Sequence, residues 1–309
     1  MEILFIDTAH PLLRDSLEKA GHACTDATMK SQEEIFQMIP GYDGIVIRSR
    51  IPVDKAFLDA ATNLKFIARV GAGMEGIDVQ YAEKKGIKCL NSPEGNRNAV
   101  AEQALGMLLA LFNNLIAADK DVRKGSWIRE GNRGVELDGK TVGIIGYGNT
   151  GSAFAKKLKG FDCTVLAYDK YKKDFSDAHA RECTKDELCA QADVVSLHVP
   201  LTPETQYMMN DALISRFAKN IYVLNTARGL CLRTEDLVKN LHSGKVLGAC
   251  LDVIEYEETS FEGITSHEMA WHYLLQSPKV VLSPHIAGWT YESKEKMARI
   301  LFQKITALA

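Results

Sequence analysis

Short apolar runs alternate with amphipathic segments along the whole chain, and this alternation limits the fold more than any other feature. Glu2–Ile6, Gly44–Ile47, Phe66–Val70 and Ile87–Leu90 read as strands. Between them, Pro11–Ala20, Val53–Ala61 and Val79–Lys85 read as helices, with Gly21 and Gly86 as stops. Strands recur at Val142–Ile145, Thr164–Tyr168, Val194–His198, Ile221–Asn225, Val246–Leu251 and Val280–Leu282. Helices recur at Thr150–Lys159, Glu235–Ser243 and Glu292–Leu308. Such alternation builds parallel sheets covered by helices on both faces, an α/β class of fold. Asn98–Asp121 breaks the rhythm: free of proline and strongly apolar, it predicts one long helix that packs between domains or on a second subunit.

The length of 309 residues suggests two domains. A net charge of −3, from 37 basic and 40 acidic residues, lacks the cationic excess that binds nucleic acid. The cysteines number seven, with no C-x-x-C pair, so reduced buried thiols and no metal site are expected. The first apolar run ends at Asp7 without a basic leader, which reads as a strand rather than a signal peptide. The longest apolar stretch, Ala104–Phe112, falls short of the about 20 residues that a bilayer span needs. The expectation is a cytoplasmic protein with no membrane partner.

The strongest local motif is Gly146-Tyr147-Gly148-Asn149-Thr150-Gly151, between an apolar strand and an amphipathic helix, with Asp169 ending the next strand. This is the full dinucleotide fingerprint. Gly146 permits the turn, Gly148 lets backbone approach a pyrophosphate, and Gly151 lets the helix pack closely. The helix start at Asn149 and Thr150 would receive the diphosphate. Asp169 would accept from ribose hydroxyls and repel a 2′-phosphate, favouring NAD, although Lys170, Lys172 and Lys173 stand close by.

Three later segments carry reactive side chains at strand ends: Asn225-Thr226-Ala227-Arg228-Gly229, Leu251 to Glu257, and Ser283-Pro284-His285-Ile286-Ala287-Gly288. Ligands of doubly wound sheets bind beyond the carboxyl ends of the strands, so Arg228, Glu257 and His285 are candidates to meet beside a nicotinamide.

These residues carry a resemblance. The chain resembles the D-isomer-specific 2-hydroxyacid dehydrogenases, phosphoglycerate dehydrogenases most of all, over almost its whole length. The marks are Arg48-Ser49-Arg50, Arg69-Val70-Gly71-Ala72-Gly73, Asn91-Ser92-Pro93-Glu94-Gly95-Asn96, the glycine loop, His198-Val199-Pro200, the Asn-Thr-Ala-Arg-Gly run and Pro284-His285. The resemblance implies two Rossmann-like domains: a substrate domain of 1–97 and 287–309, and an NAD-binding domain of 98–286 inserted into it. It implies a catalytic trio of Arg228, Glu257 and His285. Glu257 is chosen over Glu255 and Glu258 by the family's spacing from Asp252. Cofactor-lining positions are implied at His198, Val199, Pro200, Thr226, Ala227, Asp252 and Gly288.

For the substrate, the resemblance implies that the Gly71, Ala72 and Gly73 amides hold a carboxylate. It also implies that Arg48 and Arg50, two apart on an extended segment and so pointing the same way, hold a phosphate. D-3-phosphoglycerate, the entry to serine biosynthesis, is then the expected substrate. Reduction of glyoxylate, hydroxypyruvate or another 2-keto acid is the alternative, and an NAD-sensing corepressor-like protein is the alternative of another class. A homodimer is implied. The end at Ala309 predicts no serine-binding regulatory domain. The 258–277 stretch, with Trp271, His272 and Tyr273, is expected to be a long loop.

Overall fold

The structure is a computed structural model that describes residues 1–258, 263–264 and 268–308. The chain divides into two compact units, residues 1–97 with 289–309, and residues 98–288. The second crossing thus falls at 288/289 rather than at 286/287.

The first unit is a five-stranded parallel sheet. Its strands are β1 (Glu2–Phe5), β2 (Ala23–Asp26), β3 (Gly44–Ile47), β4 (Phe66–Arg69) and β5 (Lys88–Leu90), in the order β2-β1-β3-β4-β5. The helices between them are α1 (Pro11–Lys19), α2 (Gln32–Met38), α3 (Lys55–Ala60) and α4 (Val79–Lys84). Alternate residues of β1, with Ile6 just after it, feed two cores: Leu4 and Ile6 join one, Ile3 and Phe5 the other. A strand buried on both faces needs an unbroken apolar run, which is why Gly44–Ile47 is buried throughout.

The long segment expected over 98–121 is two helices, α5 (Pro93–Phe112) and α6 (Leu115–Arg123), bent by 60°. The break is at Asn113–Asn114, where Asn114 adopts φ 50°, a left-handed conformation that asparagine tolerates. Ala101, Ala104, Leu108 and Phe112 are buried in the core of their own unit, which accounts for the apolar character of α5. No single helix among the described residues is long and apolar enough to cross a membrane.

The second unit has seven parallel strands: β6 (Thr141–Ile145), β7 (Thr164–Tyr168), β8 (Arg181–Glu182), β9 (Val194–Leu197), β10 (Ile221–Asn225), β11 (Val246–Leu251) and β12 (Val280–Leu282). Their order is β12-β11-β10-β9-β6-β7-β8, with the direction of winding reversing between β6 and β9. The helices are α7 (Asn149–Lys157), α8 (Lys185–Gln191), α9 (Asp211–Arg216), α10 (Thr234–Ser243) and α11 (Met269–Gln276), while α12 (Tyr291–Thr306) returns to the first unit. The 258–277 stretch is therefore not all loop. Residues 269–276 are helical, held by buried Ala270 and Leu274, and residues 259–262 and 265–267 lie outside the described residues.

Candidate active site

The glycine loop leaves β6 at the switch point, where a doubly wound sheet opens a crevice. Gly146 has φ 95°, and a Cβ there would stand 2.5 Å from the His198 carbonyl oxygen. A Cβ on Gly151 would stand 2.1 Å from the Gly146 oxygen, so the start of α7 packs on the loop only without a side chain. Gly148 differs: a Cβ there meets nothing within 4 Å. Its bare face is open, and as N-cap of α7 it offers no side-chain cap to the helix amides. An open glycine before uncapped amides fits a phosphate.

Asp169 directly follows β7 and ties that loop down. Its carboxylate accepts from the amides of Tyr147 at 2.9 Å, Tyr171 at 3.0 Å and Lys172 at 3.1 Å. Partial burial raises its carboxyl pKa, but the three amides outweigh burial and hold it below the ordinary value.

His198 is buried. Its Nε2 meets Ser196 Oγ at 2.8 Å and its Nδ1 meets Thr150 Oγ1 at 3.2 Å, linking β9 to the start of α7. Burial pushes its pKa down to about 3, so it is neutral and is no proton carrier near pH 7. The buried Thr226 Oγ1 has no hydrogen-bond partner, an orphan of the kind that a bound ligand satisfies. Glycine loop, α7 and Thr226 together fit a dinucleotide.

The candidate catalytic residues follow β10, β11 and β12, and two of them meet. His285 Nδ1 lies 2.7 Å from Glu257 Oε2, and Glu257 Oε1 accepts the Ile254 amide at 2.6 Å. His285 has φ 53° and is held there by its amide on the Asp252 carbonyl at 2.7 Å. Asp252, 1% exposed, accepts from Ser283 Oγ at 2.6 Å and from the amides of Ile286 and Ala287 at 2.9 Å each. Its charge is thus engaged in building the histidine turn. Gln103 on α5 donates to Ser283 at 3.3 Å behind it.

Arg228 is positioned by the buried Asn225, whose side chain donates to the Arg228 carbonyl at 2.9 Å and accepts the Ala227 amide at 3.1 Å. A Cβ on Gly229 would stand 2.0 Å from the Ile254 oxygen, so glycine lets the arginine turn lie against the Asp252–Glu257 segment. The rival carboxylates are placed differently. Glu255 accepts the Thr234 amide at 2.6 Å at the start of α10, and Glu258 is exposed. Sequence reasoning missed Gln103, whose partner Ser283 lies 180 residues away, and Ser196, which stands two residues before the His198 ring it meets. Asn225 lay in view, in the motif itself.

In the first unit, Asn91 Nδ2 donates to the Ala72 carbonyl at 2.7 Å and the Ser92 amide to the Gly71 carbonyl at 2.8 Å, bracing the 71–73 loop. Gly71 has φ 153°, and Arg69 Nη1 occupies the place of a Cβ, 1.6 Å from where that atom would be. Arg48 and Arg50 do not point the same way. Residues 48–50 bend after β3, and Asp7 Oδ2 accepts all three of their amides, so strand alternation no longer applies. The Arg50 fork ends on the carbonyls of Ala27, Thr28 and Lys30 at 3.0, 2.6 and 3.1 Å. The Arg48 guanidinium lies over the Trp289 ring, 4.5 Å from its centre, and the Lys294 ammonium lies 4.2 Å from the same centre. Among the described residues no cluster of three or more His, Cys, Asp or Glu is arranged to hold a metal.

Residues 105–287 match the model of the D-isomer specific 2-hydroxyacid dehydrogenase NAD-binding domain. The chain is 37% identical to a hydroxypyruvate reductase of Thermotoga maritima, over 89% of this chain and 87% of that protein. It is 34% identical to a D-3-phosphoglycerate dehydrogenase of Archaeoglobus fulgidus over its whole length, spanning 57% of that longer protein. The D-lactate dehydrogenase of Aquifex aeolicus, solved with NAD and lactic acid, shares 27% identity at a TM-score of 0.84, covering 100% of this chain and 95% of that one. The chain belongs to the D-isomer-specific 2-hydroxyacid dehydrogenases, and its second unit carries their NAD-binding domain.

Proposed function

We propose that the chain transfers hydride reversibly between NAD and a small D-2-hydroxy acid, with His285 as the acid–base, Glu257 as its orienting carboxylate and Arg228 as the substrate anchor. The carrying observation is the His285–Glu257 bond at 2.7 Å, with the second Glu257 oxygen fixed on the Ile254 amide. Oxidation takes a proton from the hydroxyl as hydride leaves the same carbon, and reduction returns both. The bound nicotinamide supplies or receives the hydride. The imidazole handles the proton, and the carboxylate behind it fixes the tautomer with Nε2 toward substrate and stabilises the imidazolium. Arg228, a fork that stays charged, suits a carboxylate or a polarised keto oxygen. The braced Gly71–Gly73 loop is assigned the substrate carboxylate by the resemblance.

Among substrates, the engagement of Arg50 on three carbonyls favours an unphosphorylated acid such as hydroxypyruvate or glyoxylate, which needs no phosphate contact. D-3-phosphoglycerate is the second reading, favoured by Arg48 and Lys294 gathered at Trp289. Rates of NADH consumption and production over phosphorylated and unphosphorylated acids test both readings. Tight NADH binding without turnover of any acid would leave the corepressor-like reading.

A homodimer belongs to the same proposal. Leu115, Ile116, Val122, Trp127 and Ile128 are at least half exposed, close together in sequence at and after α6. Beside them a cavity of about 270 Å³, lined by Phe112, Asn114, Tyr222 and Leu247, opens at the amino ends of β10 and β11, away from the catalytic residues. An apolar surface of this kind calls for a partner. Sedimentation of the wild type and of Trp127→Ala tests it: a dimer that the variant weakens supports the proposal, and a monomeric wild type opposes it.

A further inference from the structure

The sheet order sets β6 between β9 and β7, so the loops after β9 and β7 flank the glycine loop. One side chain bridges the outer two. Glu204, from the loop after β9, pairs with the Lys170 ammonium through one carboxylate oxygen and accepts from the Tyr171 hydroxyl on the other at 2.8 Å. Lys170 and Tyr171 directly follow Asp169. An exposed ion pair adds little stability. Its effect is to fix where a positive charge sits.

In dinucleotide-binding folds the acidic residue at this strand end meets the ribose 2′-hydroxyl, and a cation beside it accommodates a 2′-phosphate. Lys170 follows Asp169 in sequence, and Glu204 holds its ammonium. Lys172 donates to the Tyr147 carbonyl at 2.7 Å, and Lys173 follows it, exposed. The Asp169 carboxylate stays ionised, since its three amides outweigh burial. Lys170 and Tyr171 likewise hold Glu204 below the ordinary carboxylate value. A 2′-phosphate at the Asp169 end of the loop would face that carboxylate, with Lys170 already paired to Glu204 and Lys172 turned to the Tyr147 carbonyl, whereas a ribose hydroxyl needs only an acceptor.

We infer that Glu204 is a cofactor-specificity residue: it withdraws Lys170 from the 2′-phosphate position and so selects NAD over NADP. The inference rests on the dinucleotide reading of the glycine loop. Dissociation constants for NADH and NADPH, read from the fluorescence of the bound nicotinamide without any acid present, test it. Glu204→Gln keeps an acceptor for Tyr171 but removes the charge. It should tighten NADPH about fivefold and change NADH less than about twofold, the scale of one exposed charge pair. Adding Lys170→Ala should abolish the gain, which assigns it to Lys170 rather than Lys172 or Lys173. An unchanged NADPH-to-NADH ratio in Glu204→Gln, with NADH still bound, overturns the inference, as does a double variant that keeps the gain. Wild-type protein that binds neither nucleotide overturns the dinucleotide reading, and the inference with it.

Discussion

Glu257 holds His285 by one carboxylate oxygen at 2.7 Å and is itself held by the Ile254 amide on the other at 2.6 Å. That contact sets the histidine's tautomer, because Nδ1 donates to a carboxylate that can only accept. In the proposed mechanism the imidazole carries the proton, a contribution of about 10²–10⁴ in rate. His285→Asn should lose at least about a hundredfold in kcat by that measure while NADH titration stays close to wild type. Glu257→Gln should lose less, and mainly in kcat, because an amide keeps the contact without the charge.

The three motif glycines should fail in different ways. Gly151→Ala and Gly229→Ala each drive a Cβ to within about 2 Å of a backbone oxygen that cannot step aside, at 2.1 and 2.0 Å. Each should destabilise by about 1–3 kcal/mol or more, seen as a lowered melting temperature. Gly148→Ala meets nothing and should melt as wild type, yet bind NADH weakly because the methyl stands on the open face. Normal NADH binding by Gly148→Ala would remove that loop from the cofactor site.

Two residues give opposite roles to the Arg-Ser-Arg run. Arg50→Ala strips three carbonyls of a charged donor and should cost about 2 kcal/mol in stability. Arg48→Ala loses one ring contact, worth about 0.5–1 kcal/mol, so its melting point should move little. If the substrate carries a phosphate, Arg48→Ala should raise its KM and spare that of glyoxylate. Equal effects on both acids would remove Arg48 from phosphate recognition.

Stability should fall in mild acid through His198. Its folded pKa, about 3, lies below the unfolded value of about 6.5. The unfolded state therefore binds the extra proton, and stability is full above about pH 6.5 and declines as pH falls toward the folded value. Asp169, also depressed by its amides, adds a loss at lower pH, below the ordinary carboxylate range. Melting curves of the wild type and His198→Gln between neutral and mildly acid pH check this: the variant should show the shallower decline.

The parallel sheets and the glycine loop were legible because they depend on local rules: apolar strands buried on both faces, and glycines where a side chain has no room. Asn98–Asp121 was misread as one helix because composition shows apolar residues but not that Asn114 turns left-handed. The strand Ala23–Asp26 escaped notice since its residues are half-exposed at a sheet edge. His285, Glu257 and Arg228 were visible as reactive types past strands, and the resemblance selected among them. Gln103 and Glu204 were not, because their partners lie 180 and 34 residues away. Arg50 was misassigned for a related reason: alternation holds on a strand, and the chain bends there.

The central claim is that His285 carries the proton for hydride transfer between NAD and a D-2-hydroxy acid. The direct test is nicotinamide absorbance during reduction of glyoxylate, hydroxypyruvate and 3-phosphohydroxypyruvate by wild type and His285→Asn. The account predicts turnover of at least one acid by the wild type, lost in a variant that still binds NADH. Turnover that survives in His285→Asn, or a wild type that binds NADH and reduces none of these acids, would contradict it.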